Sequence, residues 1–301
     1  MRCSPWTRCS NPDPMLIDIG PALLVVNGER EGRPYPFDES TLAERVRAIL
    51  TDIRDCLPVL KQKAYKIRKT AYLPAVARKM VDAVKAVDEA ELTPMAAVAG
   101  AVADDLKEYL KGEGLEFISV NNGGDIALYN ARGKPVAIGI GDVERGSATP
   151  YVLKAVDLVD FGIATSGFGG RSFTLGIADM VSVVAGSAPL ADAAATAIGN
   201  RTNVDDPAVE RRRARDLDPS TDIPDELVTK SVGELGHRSV AEALARGKAE
   251  ADRLKREGTI RDAVILLRGR MVTTIRNEGT INLEVAHGNQ EDRDGGRGHP
   301  V

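Results

Sequence analysis

Asn122-Gly123 lies between two short apolar runs, Phe117–Val120 and Asp125–Tyr129, and a third run, Pro135–Ile140, follows after Arg132-Gly133. An Asn-Gly pair in that setting predicts a two-residue type I′ turn, because both central residues of such a turn need positive φ. Strands joined by so short a turn can only pair antiparallel, which commits this stretch to an antiparallel sheet. The same signals predict a strand at Ala22–Val26, a turn at 28–32 and a strand at Arg33–Phe37. They also predict buried strands at Phe161–Thr165 and Met180–Ala185, and a closing meander over Asp262–Leu267, Met271–Ile275 and Ile281–Val285.

Helices fall between these runs. Leu42, Val46, Ile49, Leu50, Ile53 and Leu57 recur at helical spacing behind Thr41-x-x-Glu44, which reads as a capping box, and Pro58 marks the expected stop. Further helices are expected at Pro74–Val87, Pro94–Leu110, Pro189–Ile198 and Ser239–Arg256. Residues 202–236 are charged, contain proline and are expected to wrap the surface. Hairpins at both ends with helices grouped between them give an α+β class: a single mixed domain of antiparallel strand meanders packed with helices, over residues 15–286. Residues 1–14 are polar and residues 287–301 are rich in Gly and charge, so both are expected to be disordered.

Composition narrows the class of function. Only 4% of residues are aromatic, so the core must be aliphatic. A net charge of −4 argues against a nucleic-acid partner, for which a basic stripe is the usual footprint. The run Arg211-Arg212-Arg213 sits between Glu210 and Asp216 and reads as a solvated helix face. Three cysteines give no disulfide framework, and Cys56 reads as a packed thiol. No run approaches the roughly 18 apolar residues of a membrane span, and no secretion signal is seen, so a cytoplasmic protein with no membrane partner is expected.

Three segments can carry chemistry. In Asn121-Asn122-Gly123-Gly124-Asp125 the plain reading is a hairpin turn. Gly124, however, is not required by a turn centred on Asn122-Gly123, and glycines that admit a ligand to the backbone, with Asn121 and Asp125 as polar contacts, form the alternative. Thr165-Ser166-Gly167-Phe168-Gly169-Gly170-Arg171 follows an apolar strand and offers hydroxyls, open amides and one cation, which suit a phosphate. A merely flexible loop is the competing reading, and neither a Walker A nor a Rossmann fingerprint is present. In Leu190–Ile198, Asp192 and Thr196 are four residues apart on one helix face. A carboxylate and a hydroxyl are hard oxygen ligands suited to Mg²⁺, whereas the plain reading has Asp192 complementing the start of its own helix. Asp179 reads as a strand-end residue with access to the same pocket as its alternative.

Taken in order, N-x-Gly-Gly-Asp, Ala-Thr-Ser-Gly and Ala-Asp-x-x-x-Thr resemble the ApbE-like superfamily, whose best-known members are Mg²⁺-dependent FAD:protein FMN transferases. The resemblance spans roughly residues 93–200, with Leu92–Gly100 where that family has a small-residue helix start. It is nearer a cytoplasmic branch than the lipoprotein branch, since no lipobox cysteine precedes the domain. The resemblance implies a T-fold-like architecture, with Asp192 and Thr196 as metal ligands and Asn121, Gly123, Gly124, Asp125, Thr165, Ser166 and Gly167 as the cofactor-binding set. It implies Mg with FAD or FMN, a nucleotide-like small molecule and an acceptor protein as partners. Two family groups are missing: Ala96–Ala101 contains no lysine, and no histidine lies between Thr165 and Thr196. The competing expectations are therefore a flavin transferase, a ligand-binding or accessory protein without the transfer step, and a different small-metabolite enzyme on the same scaffold. A strand edge of the meanders could also support a homo-oligomer.

Overall fold

Antiparallel pairing dominates, as the hairpin signals require. The computed structural model describes residues 14–142 and 147–285; residues 1–13 of the expected N-terminal extension and the expected tail at 287–301 lie outside them. The first half contains β1 (Met15–Ile19), β2 (Ala22–Arg30), β3 (Arg33–Pro34), α1 (Glu39–Leu60), α2 (Ala75–Asp88), α3 (Val98–Gly112), β4 (Phe117–Asn122), β5 (Asp125–Asn130), β6 (Val136–Asp142) and β7 (Ser147–Ala155). Then follow β8 (Asp160–Ser166), β9 (Met180–Ala185), α4 (Ala188–Arg201), β10 (Val209–Arg213), α5 (Ala214–Leu217), β11 (Leu227–Val232), α6 (His237–Arg256), β12 (Ile260–Leu267), β13 (Arg270–Thr273) and β14 (Ile281–Val285).

The large sheet runs β1-β2-β4-β5-β8-β9-β12-β13 with β3 beside β2, and a small sheet runs β14-β7-β6. Strand alternation divides the core in two. Ile118, Val120, Ala127, Ala164, Val181, Val183 and Ile265 face the helices. Leu128, Phe161, Ile163, Met180, Val184 and Val264 face Ile140, Leu153 and Ile281 of the small sheet. The result is an α+β fold in three layers, with the large sheet in the middle. No described helix is long and apolar enough to cross a membrane.

Several local expectations shift. Asp38 caps α1 instead of Thr41: its Oδ1 accepts the Thr41 N–H at 2.8 Å, so the helix starts three residues early. Pro58 lies within its last turn and does not stop it. β2 continues to Arg30, leaving Glu31-Gly32, both at positive φ, as the turn. The expected helix from Pro94 divides into a 3-10 turn, Pro94–Ala97, and α3. Ala97 breaks the helix with φ −125° and ψ 13°. Residues 202–236 contain a paired hairpin, β10–β11, so the arginine run lies on a strand and not a helix. Arg211 donates to the Val204 carbonyl at 2.7 Å, and Arg212 pairs with Glu210 at 3.0 Å. The closing meander ends early, because β14 leaves β13 to pair with β7, a strand the sequence pattern did not mark.

A buried ion network fixes α3 to its surroundings. Lys107 is only 2% exposed and pairs with Asp104 at 2.9 Å, with Glu108 at 3.0 Å and with Asp160 at the start of β8. Arg45 of α1 reaches Asp105 at 2.6 Å, and Lys79 of α2 reaches Asp104 at 2.8 Å. Burial opposes the charge on Lys107, but the carboxylates of Asp104 and Asp160 outweigh it and raise its pKa. Lys107→Met removes the central cation while Lys79 still meets Asp104 and Lys111 still meets Asp160, so a loss of about 1–3 kcal/mol is expected in urea unfolding.

Candidate ligand and cation site

The site begins with missing side chains. A Cβ on Gly162 would lie 2.2 Å from the Ala188 Cα, and one on Gly100 would lie 2.4 Å from the Ala188 carbonyl oxygen. The start of α4 is therefore wedged between β8 and the first turn of α3. Helices α2, α3 and α6 and strands β8 and β9 surround α4, which explains its buried alanines, Ala191, Ala193, Ala194, Ala195 and Ala197. One polar row interrupts them: Asp192, Thr196 and Asn200, four residues apart and each partly accessible.

Asp192 is the key to this row. Its Oδ2 accepts the Gly100 N–H at 3.0 Å, and the Ala99 N–H also donates to the carboxylate. These are first-turn amides of α3, left without intrahelical partners by the break at Ala97. Asp192 thus complements a helix start, as the plain reading has it, but that of α3 and not of its own helix. At the other end of the row, Asn200 Oδ1 accepts the Leu175 N–H at 3.0 Å and pins the segment leading to β9. Thr196 stands one turn from each.

The β4–β5 turn differs from its expected register. Asn122 pairs with Asp125, so Gly123 and Gly124 are the central residues, at φ 66° and 114°. The turn itself therefore requires the second glycine, and Gly124 loses its value as a ligand signal. Asn121 also serves the turn, its Oδ1 accepting the Gly124 N–H at 2.8 Å. The turn nonetheless takes part in the site: the Arg171 guanidinium lies against Gly123, 1.7 Å from where a Cβ would stand.

Asp125, 9% exposed, opens β5, and its Oδ1 accepts the Thr165 N–H at 3.3 Å. Thr165 Oγ1 meets Ser182 Oγ at 2.8 Å, so that hydroxyl is committed to the β8–β9 ladder. Ser166 Oγ faces Gly199 of α4, 3.9 Å from the missing Cβ. Gly167 passes so close to the Asp179 carbonyl oxygen that a Cβ would stand 2.5 Å from it. The Asp179 carboxylate itself accepts the Arg268 N–H at the β12–β13 turn, in keeping with its plain reading.

Electrostatics join two of the predicted residues. Burial pushes the Asp125 carboxyl up to about 7, against the pull of the Thr165 N–H and Arg171. Burial, and then the charge of Asp125, raise Asp192 well above the usual carboxylate range, with the Gly100 and Ala99 amides in partial opposition. Two carboxyls that hinder each other's ionisation fit either a retained proton or a divalent cation. Among the described residues no three His, Cys, Asp or Glu side chains form a closed metal cage. The donor set fits Mg²⁺, which often takes one or two carboxylates and completes its shell with water and phosphate oxygens.

One residue escaped sequence reasoning. Asn122, 4% exposed, donates from Nδ2 to the Ala99 carbonyl at 3.1 Å, and its Oδ1 is buried without a partner. A usable signal exists: Ile118, Val120 and Asn122 form the inward row of β4, and Asn122 is its one polar member.

The chain is 40% identical over 144 residues to a UPF0280 protein of Methanosarcina barkeri, covering 46% of this chain and 53% of that one. It is 36% identical over 169 residues to a UPF0280 protein of Methanopyrus kandleri, covering 55% and 64%. The chain thus spans about half the length of the curated relatives it matches. Among solved structures, the flavin transferase ApbE from Vibrio cholerae aligns with a TM-score of 0.45 at 13% identity, over 86% of this chain and 95% of that one. The flavinyl transferase ApbE of Pseudomonas stutzeri aligns with a TM-score of 0.42 at 15% identity, over 87% and 93%. The family model described as AbpE bacteria matches residues 10–273, and the chain belongs to that family.

Proposed function

We propose that this protein binds a flavin nucleotide, or a similar phosphate-bearing ligand, together with Mg²⁺. The observation that carries this reading is that Asp125 and Asp192, from a hairpin and a helix distant in sequence, are near enough for the charge of Asp125 to hinder ionisation of Asp192, with Asp125 bonded to the Thr165 N–H of the Thr165–Gly167 loop. Asp192 and Thr196 would hold the cation, with Asp125 facing them. Arg171, lying over the Gly123 turn, would meet the phosphates. Bound Mg²⁺ would offset phosphate charge and polarise a phosphoryl oxygen. The chain's own residues orient the ligand, and Asp125 is held largely out of water.

Transfer of FMN to an acceptor protein is the finer reading. The missing family lysine and histidine remove a cation and a base, but Asp125, pushed up to about 7, can exchange a proton near neutral pH. Incubation with FAD and Mg²⁺ is expected to release AMP and label an acceptor protein. Flavin binding that survives with no AMP and no labelled acceptor supports the accessory reading instead. Asp192→Ala is expected to weaken Mg²⁺-dependent flavin binding by at least about tenfold, read by quenching of flavin fluorescence. Binding unchanged by that substitution, or a different metabolite found by mass spectrometry of the purified protein, counts against the flavin–Mg²⁺ reading.

A further inference from the structure

We propose that the side-chain oxygen of Asn122 is a further protein oxygen of the cation site, reaching the ion directly or through one of its bound waters. This rests on the cation reading above and adds a residue that neither the family resemblance nor the Asp192–Thr196 spacing supplies.

Asn122 ends β4 directly opposite Asp125 in the antiparallel register. Directly opposed residues put their side chains on the same face of a sheet, with Cβ atoms about 5 Å apart. That face is the one Ile118 and Val120 bury against the helices. From there the Asn122 Nδ2 donates to the Ala99 carbonyl at 3.1 Å, while Asp192 Oδ2 accepts from the N–H of the next residue, Gly100, at 3.0 Å. The single Ala99–Gly100 peptide unit is thereby held at its C=O by Asn122 and at its N–H by Asp192. Asn122 and Asp192 thus meet on one short piece of α3 backbone, with Asp125, bonded to the Thr165 N–H, opposite Asn122 in the β4–β5 register.

The Nδ2 contact accounts for half of the Asn122 amide. The other half, Oδ1, is buried and accepts no hydrogen bond. An unmet buried acceptor costs roughly 1–3 kcal/mol, and an aliphatic side chain would complete the inward row of β4 without that cost. Asp125 and Asp192 can donate to this oxygen only while protonated; once ionised they offer only acceptors. A cation, or a water held on one, can serve all three at once, since amide and carboxylate oxygens are both hard donors. The site is oxygen-rich where α3, α4 and the β4–β5 hairpin meet, with the Arg171 guanidinium over the Gly123 turn beside Asp125.

The test uses the full chain and Mn²⁺ alone, with free Mn²⁺ followed by electron paramagnetic resonance. Asn122→Ala is expected to weaken Mn²⁺ binding about tenfold. Asn122→Asp, which puts a carboxylate where the amide oxygen stands, is expected to bind Mn²⁺ more tightly than wild type. Asn122→Asp binding as weakly as Asn122→Ala would mean that only the N–H to Ala99 matters, and overturns the proposal. So does an Asn122→Ala affinity within about twofold of wild type. Thermal unfolding decides if Asn122→Asp does not fold: the proposal expects Asn122→Ala to lose most of the Mn²⁺-induced rise in midpoint while its metal-free midpoint stays close to wild type. A lowered metal-free midpoint with the Mn²⁺ rise intact overturns it. Wild type that fails to bind Mn²⁺ removes the cation reading itself, whereas wild-type binding with unaffected Asn122 variants removes only this inference.

Discussion

Asp125→Asn is expected to stabilise the ligand-free protein at pH 8 by about 2–4 kcal/mol and to leave it almost unchanged at pH 4. The sign follows from the direction of the shift. Burial pushes the Asp125 carboxyl up to about 7 in the folded protein, whereas an exposed aspartate titrates near about 3.9. The folded state therefore holds this proton more tightly than the unfolded chain. Its stabilising effect is complete below about pH 4 and is lost as the pH rises through about 7. Asparagine has the shape of the protonated acid, never ionises, and can still accept the Thr165 N–H through Oδ1. It also removes the charge that raises Asp192. Urea unfolding at the two pH values reads the difference, and an equal effect at both would show that Asp125 ionises freely. Divalent cations should act oppositely to the substitution: Mg²⁺ is expected to raise the wild-type midpoint more at pH 8 than at pH 5, because protons compete for the same oxygens. Asp125→Asn should lose most of that rise. A variant that is more stable and binds less is the signature of a site that stores repulsion for a ligand to relieve.

How much of this was readable from sequence depends on whether the signal is local. The β4–β5 hairpin was legible because turn chemistry acts within four residues, yet its register was not. Asn-Gly and Gly-Gly both satisfy a type I′ turn, and the choice between them is made by burial of Ile118, Val120 and Asn122 on the helix side. That one-residue difference moved Asn122 from the turn into the strand. Asp192 and Thr196 were legible as a pair because helical spacing is local. The partner of Asp192 was not, since it depends on the approach of Gly100 to Ala188, 88 residues apart in number and close in space. Asn121 and Gly124 satisfied the motif but serve the turn. The β10–β11 hairpin was hidden by its arginines, whose charges are met by Glu210 on the same strand and by Asp225 and the Val204 carbonyl outside it.

Gly100→Ala carries the other large effect, and two opposing magnitudes decide its sign. Within a helix, alanine is favoured over glycine by about 1 kcal/mol. At Gly100, however, the new Cβ would stand 2.4 Å from the Ala188 oxygen, 2.6 Å from its carbonyl carbon and 2.9 Å from the Pro189 nitrogen. All three are backbone atoms, so no rotamer change clears them. Nor can α4 retreat, because Ala188 is held on its far side by Gly162, where the missing Cβ would lie 2.2 Å from the Ala188 nitrogen. The strain must move α3, which breaks the Gly100–Asp192 and Asn122–Ala99 hydrogen bonds together. A net loss of about 3 kcal/mol or more is expected, in the range of overpacked cores with a broken buried contact. Mn²⁺ affinity should fall with it, since the oxygens of Asp192 and Asn122 are positioned by that turn. Gly112→Ala supplies the matched control: it lies at the other end of α3 with nothing within 4 Å of a Cβ. There the propensity gain stands alone, and a stabilisation of up to about 1 kcal/mol with unchanged Mn²⁺ binding is expected. The same exchange in one helix should thus give opposite signs at its two ends. Equal signs would mean that the close approach of α3 to α4 does not hold the site together.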